Sequence, residues 1–275
     1  MIYQDALPSL QGDEAARIAA RFERSKRIKD TWLSKFEECY EYAMPQKESF
    51  YDQAQGQSRT DKIFDETAVV GVQEFASRLQ AGLVPNYARW AQLVSGSEVP
   101  PDERQDVDGA LEEVTNYVFE ILQNSNFSQE IHESFLDLAV GTGCLQISEG
   151  DALNPVMFTA VPLTQLTLDV GPDDKIDHIF RERQLRISNI KVAYPKAALP
   201  ASMAQALADG KDEYVKLVDC TYRVYGSPEE EHRRVVFDPK EKHIFFRETY
   251  KGVGSCPFVA FRWAKAAGEV YGRGP

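Results

Sequence analysis

The sequence has no metal-binding spacing. Its four histidines, His132, His178, His232 and His243, fall on different predicted elements, and none stands in a His-x-x-x-His or His-Glu-x-x-His pattern. Cysteine is equally sparse. Cys39, Cys144, Cys220 and Cys256 are far apart with no Cys-x-x-Cys pair, which excludes a zinc ribbon and a dithiol redox motif. They read as four reduced thiols, although sequence leaves a disulfide open. No Gly-x-x-x-x-Gly-Lys-[Ser/Thr] loop is present, and Gly141-Thr142-Gly143 is followed by Gln146 where a dinucleotide fingerprint needs its third glycine. No Gly-x-Ser-x-Gly elbow anchors a serine nucleophile. The carboxylate runs Asp173-Asp174 and Glu229-Glu230-Glu231 lie in predicted turns and read as solvated charge. The residues therefore point to no catalyst, no cofactor and no metal.

Long apolar runs are missing too. The longest, such as residues 257–261, fall far short of the ~18–20 residues of a membrane span. Residues 1–10 contain Asp5 and Pro8 and lack a basic-then-apolar leader, so the expectation is a soluble intracellular protein without membrane contact.

What is present is an ordinary globular composition with an acidic bias. The 275 residues are 43% hydrophobic and 27% charged, enough for one large domain or two smaller ones. Lys and Arg number 31 against 43 Asp and Glu, a net charge of −12. That balance argues against tight nucleic-acid binding, which needs clustered positive charge, but suits a surface past which DNA moves without sticking. The distribution is uneven. Residues 17–35 hold seven bases and two acids, whereas residues 98–137 hold eleven acids and one base. A solvated helix face is the simplest reading of the basic stretch.

The first half has helical periodicity. Over residues 13–44, Ile18, Phe22, Trp32, Phe36, Tyr40 and Ala43 recur mostly at three- and four-residue spacings, with Gly12 or Asp13 as a cap and Pro45 as a stop. Residues 47–60 read as an exposed polar loop. A second helix over 65–83 has Asp65 as its cap and Val69, Val72, Phe75, Ala76, Leu79 and Leu83 on its buried face. Residues 89–95 alternate like a short strand. A third helix after Pro100-Pro101 turns Val107, Leu111, Val114, Val118, Ile121 and Leu122 to one side, and a fourth from about Ser128 stops at Gly141-Thr142-Gly143.

The second half changes period. Residues 144–148, 156–161, 165–169, 176–186, 214–225, 233–237, 244–250 and 258–263 are runs rich in β-branched and aromatic residues, separated by Gly-, Pro- and Asp-containing turns. One helical interruption is expected at 200–208. Helices followed by consecutive strands predict an α+β fold with a mostly antiparallel β region. The expected division is a helical part over 1–143 and a β-rich part over 144–275.

Three motifs remain. Arg89-Trp90 and Arg262-Trp263 each pair a cation with an aromatic, the residue types enriched at subunit contacts, although a core tryptophan beside a surface arginine explains them as well. The last run, Tyr271-Gly272-Arg273-Gly274-Pro275, reads as the approach to a further helix rather than the end of a domain.

These segments carry a resemblance. Residues 63–68 (Ile-Phe-Asp-Glu-Thr-Ala), 75–85 (Phe-Ala-Ser-Arg-Leu-Gln-Ala-Gly-Leu-Val-Pro) and Arg89-Trp90 come in the order and spacing seen in the head-to-tail connector (portal) proteins of short-tailed bacteriophages. Ser125-Asn126-Phe127, Gly141-Thr142-Gly143, Val161-Pro162-Leu163 and Arg181-Glu182-Arg183 continue it, and the stretch from Pro257-Phe258 through Arg262-Trp263 to Pro275 is its most specific part. The chain resembles the N-terminal half of such a protein, over about residues 15–275.

The resemblance implies a wing-like fold leading to the start of a stem, with the clip, the rest of the stem, the tunnel loop and the crown absent. It implies a structural, non-enzymatic subunit of a dodecameric ring at one capsid vertex. Double-stranded DNA would pass through without sequence specificity during packaging and ejection. The implied partners are other copies of the chain and the terminase, scaffolding, capsid and tail adaptor proteins. The implied location is the virion, and the host cytoplasm during assembly. Asp65, Arg89, Trp90, Arg262, Trp263, Tyr271, Gly272, Arg273 and Gly274 are the signature residues. A closed ring needs two different faces on each subunit, and the stretches 17–35 and 98–137 make Arg24 and Arg27 candidate subunit contacts. The alternative reading is another virion adaptor or scaffold-type protein without a channel.

Overall fold

The computed structural model describes residues 11–47 and 63–275, with side chains from Glu14 onward. The expected caps Gly12 and Asp13 fall inside the first helix, which is already under way at Gln11, and nearly all of the expected loop at 47–60 lies outside what is described. The fold is α+β. Four helices come first: α1 (Gln11–Ala43), α2 (Thr67–Leu83), α3 (Arg104–Asn124) and α4 (Phe127–Leu138). Then follow β1 (Thr142–Glu149), β2 (Val156–Ala160), β3 (Leu166–Val170) and β4 (Ile176–Arg186). Two short helices, α5 (Ile187–Ala193) and α6 (Ala201–Ala208), precede β5 (Tyr214–Val224), β6 (Glu231–Phe237), β7 (Ile244–Lys251) and β8 (Phe258–Arg262).

The described strands form two sheets, each antiparallel throughout. The smaller has the order β2-β1-β8 and the larger β3-β4-β5-β6-β7. The larger sheet is covered on both faces, and its alternation shows why. Phe180, Val218, Cys220, Val235 and Phe237 face the first half of α1, where Ile18, Ala19 and Phe22 meet them. Leu217, Val236 and Phe245 point the other way, onto Ile187, Ile190, Tyr194 and Met203 of the α5–α6 region. The second half of α1 keeps only the β3 edge of this sheet. Phe36, Tyr40 and Met44 enter the main core with α4, the smaller sheet and Leu166 and Leu168 of β3. At 33 residues α1 is about 50 Å long, which lets one helix bridge both sheets.

Several expectations fail for identifiable reasons. Residues 89–95 form no strand; the segment is held by side chains of α3, with Leu93 N–H donating to Thr115 Oγ1 (3.1 Å) and Ser95 N–H to Asp108 Oδ1 (2.7 Å). Sequence alternation does not distinguish a ladder partner from side-chain acceptors. Leu83 is exposed, at the end of α2. Residues 187–193 form a helix that their β-branched content concealed. On α3 only Thr115 and Phe119 are buried, while Val114 and Val118 of the expected core face are exposed.

Candidate functional site

Three of the motifs converge on one seam. The turn from α4 into β1 places Gly141 and Thr142 against the last residues described. Trp263 N–H donates to Gly141 O (2.9 Å), and Gly272 N–H donates to Thr142 Oγ1 (2.9 Å). Ala264 and Arg273 form an antiparallel bridge, closing a hairpin-like return after β8. The backbones of Gly141 and Gly272 approach so closely that a Cβ on Gly272 would lie 2.2 Å from Gly141 O. Only glycine fits there, and Gly141 itself has a φ of 131°. At Gly274 a Cβ would stand 2.1 Å from Ala139 O, so the contact continues along the turn.

Tyr271 drives this segment inward. Its ring is fully buried against Phe36 and Trp32 of α1, with centroids 5.5 and 6.2 Å away, and its hydroxyl oxygen accepts Leu168 N–H (3.1 Å) on β3. Burial pushes the phenol pKa up, so it stays protonated. Arg273 stays outside, paired with Glu269 and lying 5.6 Å over the Trp32 ring. Arg262 turns inward and donates to Val270 O (3.1 Å), and burial lowers its pKa. Trp263 is half-exposed with Phe75 of α2 against its ring (5.1 Å), so neither a core tryptophan nor a surface arginine describes this pair.

The remaining signature residues lie elsewhere. The N-cap of α2 is Glu66, which makes no side-chain cap bond, so the expected cap Asp65 stands one residue too early; it accepts instead from the Thr67 backbone N–H (2.7 Å) and hydroxyl, and these bonds hold its carboxyl below the usual range. Arg89 donates to Asn116 Oδ1 (2.9 Å) and lies 3.6 Å from Glu112, both on α3. Trp90 is half-exposed, edge-on to Phe119 (5.3 Å) and stacked near Phe127 (6.2 Å). Arg24 lies 3.3 Å from Asp169 yet keeps 61% of its side chain exposed, and Arg27 faces solvent.

The basic stretch is not simply a solvated face. Arg21 Nε donates to Asp169 Oδ2 (2.7 Å) and Arg21 Nη2 to Asp177 Oδ1 (3.0 Å), both on the larger sheet. Burial would raise the Asp169 carboxyl, but Arg21 outweighs it and holds the group below the ordinary range. His178 Nδ1 stands 3.1 Å from Asp177 Oδ1, off the line of a hydrogen bond, and burial lowers the pKa of the imidazole against the pull of that carboxylate. Lys26 and Lys216 both pair with Glu182, while Lys29 is buried and donates to Thr164 O (2.7 Å), with burial bringing its pKa down to about 8. Sequence reasoning missed these roles. The one available signal was spacing, since positions 18, 22, 25 and 29 mark the buried side of the helix and 21 and 26 border it.

The signature triplet on β4 divides its work by strand alternation. Arg181 donates to Gln146 Oε1 (2.7 Å) and Gln165 Oε1 (3.2 Å), tying β1 of the smaller sheet to the larger one; Glu182 faces α1 and takes Lys26; Arg183 donates to the Tyr194 hydroxyl. His132 sits beside Gln80 Oε1 (3.0 Å). Among the described residues, no group of three or more His, Cys, Asp or Glu is placed to hold a metal ion. None of the described helices is long and apolar enough to cross a membrane.

Comparison with known proteins completes the description. A family model described as bacteriophage head to tail connecting protein matches residues 15–275. A protein of Bordetella phage BPP-1 named as a probable portal protein is 22% identical over 278 residues, covering 95% of this chain and 49% of the relative. The chain thus spans about half the length of that relative.

Proposed function

The chain belongs to the bacteriophage head to tail connecting protein family, and we propose that it serves as the wing-forming part of a portal subunit in a dodecameric ring at one capsid vertex. The observation that carries this reading is the family match over residues 15–275, the stretch that holds both sheets and the glycine seam. The role is structural: the ring conducts double-stranded DNA during packaging and ejection and docks terminase, scaffolding and tail proteins. The charge distribution supports it. A conduit must not grip phosphate, because each neutralised phosphate adds salt-dependent affinity. Here the net charge is −12, and Arg21, Arg24 and Lys26 already face Asp169, Asp177 and Glu182.

The test is the position of the chain in the particle. Phage carrying an epitope tag on this protein, labelled with gold and imaged, should show label at one vertex per capsid. Deleting the gene should leave heads without packaged DNA. Label on every vertex, or on the tail with heads still filled, would replace the portal reading with a capsid or adaptor one.

A further inference from the structure

The structure leaves two charged ridges of opposite sign on separate helices. On α3, Asp106, Glu113 and Glu120 are spaced by seven and exposed, so they align along one side over about 21 Å. None of the three has an ion-pair partner among the described residues. Beside them lies uncovered apolar surface: Val114, Tyr117 and Val118 are 47%, 63% and 42% exposed. On α1, Arg17, Ala20, Arg24, Arg27, Thr31 and Lys35 are all exposed and fall on one face over about 27 Å. Glu23 and Asp30 border this ridge, and Asp169 shares Arg24 from below. Within the chain α1 packs on α2 and β3 and α3 packs on α4, and no α1 cation pairs with an α3 carboxylate among the described residues.

We infer that the α3 ridge of one copy docks on the α1 ridge of the next, a head-to-tail contact between copies of this chain. This rests on the ring reading above and deepens it by naming the two faces. The argument is complementarity: two ridges of similar length and opposite sign, on one chain, with no partner for each other inside it. A second copy of the acidic face would repel the first, so the contact is heterologous and propagates toward a ring. Val114 and Val118 supply the apolar strip that exposed charge pairs need for lasting association, as in helix pairs flanked by charged positions.

Native mass across a concentration and salt series tests the contact. The wild-type chain should assemble, and less so as salt screens the ridges. Glu113→Lys with Glu120→Lys should reduce the assembled fraction about ten-fold, as should Arg17→Glu, Arg27→Glu and Lys35→Glu together. Each mutant alone carries like charges on both ridges, whereas an equimolar mixture of the two restores opposite charges at every contact and should recover assembly. Circular dichroism of each variant separates lost contact from lost fold. Wild-type assembly that the reversals leave intact, or no recovery on mixing, overturns the contact while leaving the vertex reading standing. A wild-type chain that stays monomeric throughout also overturns it as a contact able to assemble copies. Gold label away from a single vertex counts against the portal reading instead.

Discussion

The Tyr271 hydroxyl accepts the backbone N–H of Leu168 at 3.1 Å, which fixes the last residues of the chain to the edge of the larger sheet, 103 positions back in sequence. β3 is an edge strand, and Leu168 is fully buried on it. The tyrosine therefore satisfies an amide that no further strand reaches. Removing the oxygen with Tyr271→Phe should cost about 1–3 kcal/mol, the penalty of a buried donor left without a partner. Urea unfolding measures the loss. Hydrogen exchange should show the Leu168 amide opening faster, and an unchanged rate would mean that the bond contributes little.

Two glycine substitutions should act in opposite directions. Gly272→Ala puts a methyl 2.2 Å from the Gly141 carbonyl, backbone against backbone, so the seam must open; the expected loss is at least about 2 kcal/mol in thermal unfolding. Gly71 sits inside α2, and a methyl added there would meet nothing within 4 Å, so Gly71→Ala should stabilise by up to about 1 kcal/mol through helix propensity. If both behave alike, the close approach at Gly272 is not constraining the fold.

Arg21 and Arg24 are three residues apart and both reach Asp169, but their surroundings differ. Arg21→Met leaves Asp177 buried without its guanidinium and should cost about 3 kcal/mol, and it should loosen α1 from the sheet. Arg24→Met removes a largely exposed partner and should cost less than about 1 kcal/mol. Equal losses from the two would show that burial at Asp177 is not what makes the network costly to break.

Acid should weaken the α1–sheet contact in two steps. The folded pKa of His178 lies below its ordinary 6.5, so the unfolded chain takes up that proton first and stability falls as pH drops below about 6.5. The folded pKa of Asp169 lies below 3.8, so its contribution is intact above the unfolded value and is lost as pH falls through about 4 and lower. Melting temperatures from pH 8 to pH 3 measure both steps; His178→Asn should shrink the upper one, and what is left belongs to His232, whose imidazole pKa burial also lowers. A profile flat from pH 7 to 5 in the wild type would contradict the imidazole's part.

Much of the architecture is readable along the chain. Each of the eight strands expected in the second half is found, because alternating β-branched and aromatic runs between turn residues have few other ways to fold. The long first helix follows from local chemistry as well. The signature segments were visible as strings, but their meeting was not: Thr142 and Gly272 are 130 positions apart, and no local pattern says that their backbones touch.

What the sequence by itself determined is the set of elements, the order of helices before strands, the acidic bias and the family. These depend on periodicity, turn chemistry, composition and motif order, all of which are written locally. Only the tertiary structure decided which of the α1 cations turn inward, since Arg21 and Arg24 carry the same local signals and differ in what the sheet places beneath them. It also decided that the apolar side of α3 stays uncovered. Periodicity shows that a helix has an apolar face, but whether that face meets the chain's own core depends on how distant elements pack.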